Sequence, residues 1–178
     1  MMLATTHVII PLVIADLIRD YFLKHKHRRL IPRRYIFFVG VGGILPDIDI
    51  ALAYLFNFLS IELPRLLRHG RITHSIFLVL ALLIASAFLW SGTKFSKGPS
   101  KKEHHSWFLI SILVAIGVLA HILLDGFAGD TTPYYPLSQA VAFGAQRINQ
   151  QLMISIDAVI LLAWLFHEEW HHNIKKFF

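Results

Sequence analysis

Five apolar stretches divide the chain, at residues 3–18, 35–60, 73–91, 107–125 and 151–167. A helix needs about 20 apolar residues to cross roughly 30 Å of hydrocarbon. No water is present there to satisfy the backbone, so each segment must close its own hydrogen bonds. The last three stretches fit that length within a few residues. The first is short and carries Thr5, Thr6, His7, Pro11 and Asp16. The second is long enough but holds Gly40, Gly42, Gly43 and Pro46, which weaken a helix interior. The expected fold is all-α: a polytopic membrane helical bundle of about five membrane-embedded helices, one broken around Gly42–Pro46, in a single domain over residues 1–178. Composition excludes the competing classes. Only 16% of residues are charged, against about 25% in soluble domains, and 56% are hydrophobic, too many for a disordered chain.

The net charge of +6 is placed unevenly. If all five stretches span and the N-terminus lies outside, segments 19–34, 92–106 and the tail from 168 face inward with 13 Lys and Arg, leaving 4 outside. That asymmetry follows the positive-inside rule. The basic character then marks topology, and no nucleic-acid partner is expected. The chain reads as an integral protein of the cell (inner or plasma) membrane, N-terminus outside. No basic residues precede the first stretch, so it does not read as a cleaved signal peptide. Residues 3–18 lying flat in the interface would instead put the N-terminus inside. The stretch SGTKFSKGPSKKEHH (91–105) reads as a flexible inner loop. With no cysteine, thiolate metal sites and disulfides are impossible.

Ionisable residues inside spanning segments are costly and so are functional suspects. Asp47 and Asp49 lie within an apolar stretch with no Lys or Arg inside ten residues. They call either for a cation or for the first turn of a helix starting at Pro46. His69 and His74 flank Thr73, a plausible N-cap for the next helix. His69 then lies in the loop and His74 in the first turn, as surface histidines or metal ligands. His121 and Asp125, at i and i+4, share a helix face and suit either a divalent cation or a simple hydrogen bond. His7, taken alone, reads as structural or interfacial. Asp157, within the last span, is a second partner for a ligand histidine or a polar helix contact. On the topology above, the seven residues His7, Asp47, Asp49, His69, His74, His121 and Asp125 converge on the outer side. The tail sequence His167-Glu168-Glu169-Trp170-His171 matches H-E-x-x-H, the pattern of zinc metalloproteases. It lies on the inner side of this topology and reads better as a solvated amphipathic helix end.

The order His7, LPDID at 45–49, H-x-x-x-T-H-S at 69–75, H-x-L-L-D at 121–125 and the Tyr135-Pro136 turn resembles the YdjM-like family of membrane-bound metal-dependent hydrolases. Where that family usually shows H-R-G before T-H-S, this chain has His69-Gly70-Arg71. The family is distantly similar to zinc-dependent phospholipase C and its relatives. The resemblance implies His7, Asp47, His69, His74, His121 and Asp125 as metal ligands, with Asp49 a ligand or general base.

Nitrogen and oxygen donors suit Zn²⁺, with Mn²⁺ or Fe²⁺ as alternatives. Six or seven ligands exceed what one catalytic zinc takes, so two or more ions are expected. The expected activity is hydrolysis of a phosphoester in a phospholipid or lipid-linked phosphate by metal-activated water at the outer membrane face. Arg68 and Arg71 would bind the phosphate or anchor in lipid headgroups. Membrane lipid is then both solvent and substrate. The alternatives are a divalent metal-ion transporter and a non-catalytic membrane protein stabilised by metal.

Overall fold

The computed structural model describes residues 4–26, 31–128, 132–138 and 150–172, with the side chains of Ala4, Phe127, Ala128, Gln150, Met153, Asp157, His171 and His172 outside that description. Six α-helices carry it: α1 (Ala4–Lys26), α2 (Arg33–Ile44), α3 (Ile48–Phe58), α4 (Ile76–Phe95), α5 (Gly98–Ala128) and α6 (Gln150–His172). No strand occurs among the described residues. The fold is all-α. Among the described residues, three segments are long and apolar enough to cross a membrane: Arg33–Phe58, which joins α2 and α3, Ile76–Phe95 and Gly98–Gly126. They present Phe37, Phe88, Ile84 and Ile116 outward, the surface that lipid would cover.

α5 is the central rod. It packs along α2 on one side and α4 on the other, while α1 lies on α2 and α6 lies against α1. Lipid tails are as apolar as leucine, so helices in a membrane associate by close packing and polar contacts, not by escaping water. Both devices are present. Two buried apolar clusters, Tyr35–Val39–Leu113 and Val79–Val118–Ile122, fill the seams. Ser86 donates to Ser111 at 2.9 Å between α4 and α5, and Tyr35 donates to Ser106 at 3.1 Å between α2 and α5.

The glycines of the second stretch do not break it. Gly40, Gly42 and Gly43 all lie inside α2. A Cβ on Gly42 would come within 2.2 Å of the Val114 carbonyl oxygen, and one on Gly43 within 2.0 Å of that of His7. Only glycine lets the three backbones touch there. The break falls one turn later. Pro46 has no N–H to continue the ladder, and residues Leu45–Asp47 form a single 3₁₀ turn before α3.

The segment 91–105 is also not the expected loop. α4 runs to Phe95 and α5 begins at Gly98. Gly98 turns the chain at φ +62°, and Pro99 is well suited to a first helical turn. The Lys, Glu and His residues that follow are compatible with helix and extend α5 beyond its apolar part.

Candidate metal centre

Four chain segments deliver side chains to one end of the bundle. His7 comes from the first turns of α1. Asp47 closes the 3₁₀ turn at the Pro46 break, and Asp49 follows in the first turn of α3. His69 lies in the connection before α4, and His74 ends a short 3₁₀ turn, Ile72–His74. His121 and Asp125 project from the last turns of α5. Antiparallel pairing of α1 with α2 and of α4 with α5 brings these positions together.

The centre is dry. His7, Asp49, His74, His121 and Asp125 are each 2% exposed or less. The His7 and His121 rings stack at 3.9 Å, and His74 stands edge-on to His121 at 4.9 Å. His7 Nε2 lies 3.1 Å from Asp125 Oδ1, and His121 Nε2 lies 3.3 Å from Asp125 Oδ2. His74 Nε2 is 3.5 Å from both Asp47 Oδ1 and Asp125 Oδ2. Two groups have donor atoms mutually within 4.8 Å: His7, His121 and Asp125, and Asp47, His69 and His74. Through His74 and Asp125 the two groups abut.

Hydrogen bonding behind these atoms decides which way each ring points. His121 Nδ1 donates to the Gly43 carbonyl at 2.6 Å. That carbonyl is one of the last four of α2, which a helix end leaves without an intrahelical partner. Nε2 of His121 therefore keeps its lone pair in the neutral ring and faces the centre. Thr73 Oγ1 donates to Asp49 Oδ2 at 2.6 Å, so the 3.0 Å contact between Thr73 Oγ1 and His74 Nδ1 has the imidazole as donor. His74 Nε2 is thereby turned inward as well. His69 Nδ1 donates to Asp49 Oδ1 at 2.9 Å. Neither His74 Nε2, His121 Nε2, His7 Nδ1 nor Asp125 Oδ1 has a hydrogen-bond partner, though all are buried. Buried polar atoms are normally satisfied, and converging imidazole lone pairs beside carboxylates suit a divalent ion. The residues present fit the expected metals.

Without metal, His74 takes a proton. Burial opposes its charge, but the Asp47 and Asp49 carboxylates outweigh burial and raise its pKa from 6.5 to about 9.

A scan against family models matches the YdjM inner membrane protein family over residues 1–177. The chain belongs to that family. No curated protein and no solved structure matches it. A YdjM inner membrane protein with candidate metal-binding clusters is thus what the similarity and the geometry establish together.

The structure gathers all seven ligand candidates, but their roles separate. Asp49 has both oxygens engaged by Thr73 and His69 and belongs to neither donor group. Thr73 is not a helix cap: Ser75 holds that position for α4, and the Thr73 hydroxyl serves Asp49 instead. His74 accordingly precedes α4 and does not sit in its first turn. Arg71 donates to the Tyr135 hydroxyl at 3.3 Å and lies over its ring, while Arg68 is exposed. The Tyr135 segment is held against the loop by Thr132, which donates to the Gly70 carbonyl at 2.9 Å. Two partners escaped the sequence reading. Thr73 is visible within T-H-S but there reads as a cap, and the Gly43 carbonyl carries no side-chain signal at all. The tail motif also departs from expectation. Glu168 is 1% exposed and pairs with Arg33 of α2, so one face of this helix end is packed, while Glu169 and Trp170 on the other are exposed. Asp157 lies outside the described side chains.

Proposed function

We propose that this centre is the active site of a metal-dependent hydrolase that cleaves a phosphoester in a phospholipid or lipid-linked phosphate. The observation that carries the reading is the convergence of inward-turned, unpartnered imidazole nitrogens and carboxylates beside an apolar cleft. The cleft, of about 810 Å³, runs between α3 and residues 60–69. Ile50, Tyr54, Ile61 and Leu63 line it, and His69 stands in its wall. An acyl or prenyl chain fits such a lining, which would bring the attached phosphate to the ligand cluster.

In this reading His7, His121 and Asp125 hold one ion and Asp47, His69 and His74 hold another. Zinc suits these donors, and manganese or iron(II) would accept them. The ions supply Lewis acidity and lower the pKa of water in the site. Gly43 and Thr73 fix the tautomers of His121 and His74, so neither ring must reorient on loading. Asp49 orients His69 in the manner of a carboxylate–histidine pair and is the nearby carboxylate for proton acceptance. Arg71, steadied by Tyr135, and Arg68 offer guanidinium forks to the phosphate. With the N-terminus outside, as the charge asymmetry argues, the site faces the outer leaflet.

The test is metal content by mass spectrometry on detergent-purified protein, followed by a panel of phospholipids, lipid-linked phosphates and soluble nucleotides. Two or more ions per chain, with lipid-phosphoester turnover abolished in His121→Ala, is the expected result. Turnover of soluble nucleotides alone sinks the lipid assignment. Metal-dependent ion flux in liposomes without hydrolysis would favour transport instead.

A further inference from the structure

A third group of donor atoms lies midway along α1, where Asp16 of α1 meets His167 and Glu168 of α6 within 4.8 Å. We propose that these three residues form a separate divalent-cation site that ties α6 to α1. Asp16 is nine residues from His7, about 14 Å along a helix axis. The two sites share no ligand, and this inference does not rest on the hydrolase reading.

The argument begins with charge. Asp16 is 2% exposed, and neither of its carboxylate oxygens has a hydrogen-bond partner. An isolated buried carboxylate is far too costly to leave uncompensated. Two guanidinium groups lie nearby, but both have closer obligations. Arg19 donates to Asp20 at 2.7 Å and stands 3.9 Å from Asp16. Arg33 pairs with Glu168 through Oε2. Among the described residues, Asp16 has Arg19 at 3.9 Å and the field of Arg33 beside it but accepts a hydrogen bond from neither.

The donor chemistry completes it. One imidazole and two carboxylates, with no thiolate, form a set that Zn²⁺ or Mn²⁺ accepts. A carboxylate has two oxygens and about four lone-pair positions, so Glu168 can keep Arg33 on one oxygen and bind a cation with the other. The H-E-x-x-H pattern of the tail is then used in an unexpected way: His167 and its immediate neighbour Glu168 serve, and the third ligand comes from α1. An ion here would join the last helix to the middle of the first, away from the His7 centre.

The competing account is an imidazolium on His167 facing Asp16, with no metal. A His74→Ala/His121→Ala variant, lacking the first centre, separates the two. It is equilibrated with Zn²⁺ in detergent, and bound metal is counted by mass spectrometry, with and without Asp16→Asn or His167→Gln. The expected result is a single ion retained by the double variant and lost on either addition. No bound ion in a double variant of unchanged helical content overturns the proposal, as does retention after both additions. If the substituted chains do not fold, anomalous diffraction from zinc-loaded wild-type crystals decides. A peak between Asp16 and His167 supports the site, and its absence there overturns it.

Discussion

At the His7 end of the bundle, Asp47, Asp49 and Asp125 face four imidazoles, and no Lys or Arg forms an ion pair with them among the described residues. At the Arg33 end, Asp16, Asp20 and Glu168 face the guanidinium groups of Arg19 and Arg33. Among the described residues, the acids of the first end are paired only with imidazoles, whose charge is exchangeable for protons or metal ions. The second has permanent charge built into two helices. The His7 end should therefore respond to chelators and pH, and the Arg33 end to substitution of its fixed ions. An ion at the Arg33 end, sharing Glu168 with Arg33, should also be the first to leave under mild chelation.

The sharpest break in that contrast comes from His121→Ala. It should abolish metal binding at the His7 centre and with it turnover, a loss beyond the ~100-fold typical of removing an outer partner, while helical content by circular dichroism holds. Arg33→Met strikes the opposite end. Breaking a buried ion pair from one side costs about 3–5 kcal/mol, read as a lower thermal midpoint in detergent, and Arg33→Met/Glu168→Met together should recover much of it. Chelation at the His7 end, in contrast, should be reversible on adding metal back.

Smaller effects test the supports of the His7 centre. Gly43→Ala places a Cβ 2.0 Å from the His7 carbonyl oxygen. Overpacking of this kind costs about 1–3 kcal/mol, and because α1 must shift, the thermal midpoint and metal content should fall together. Thr73→Val removes the 2.6 Å bond to Asp49 and should weaken metal affinity by about 10–100-fold with little change in stability. Equal metal affinity in Thr73→Val and wild type would count against the assigned tautomer of His74.

The gentlest probe is pH. His74 has its pKa raised from 6.5 to about 9. In metal-free protein its imidazolium therefore contributes stability that is fully present below 6.5 and lost as pH rises through about 9. Metal must displace that proton, so affinity should fall about tenfold per unit as pH drops below 9. Thermal melts in chelator and zinc titrations across that range check the two opposite slopes. Parallel slopes would contradict a proton and a metal sharing Nε2.

The helical class and the gathering of His7, the LPDID acids, the T-H-S histidine and the H-x-L-L-D pair were legible in sequence. Both follow from local facts: apolar length, and polar residues where lipid should forbid them. What escaped depends on distant partners. Gly42 and Gly43 look like helix breakers until Val114 and His7 lie against them. Thr73 looks like a cap because its real acceptor, Asp49, is 24 residues away. Glu168 reads as a solvated helix end because nothing near it in sequence announces Arg33. Asp16 was visible as an interruption of the first stretch, but without α6 it had no companions.

The carbonyl that orients His121 has a consequence for how this protein tolerates inheritance. The acceptor is main chain, present whatever side chain residue 43 carries, so no codon change deletes it. A mutational scan would never flag it directly. Its signature would be displaced onto Pro46, which ends the helix and leaves that carbonyl available, and onto Gly43, whose missing side chain lets α1 and α2 meet. Two residues with no chemistry of their own would score as intolerant as the histidine they serve.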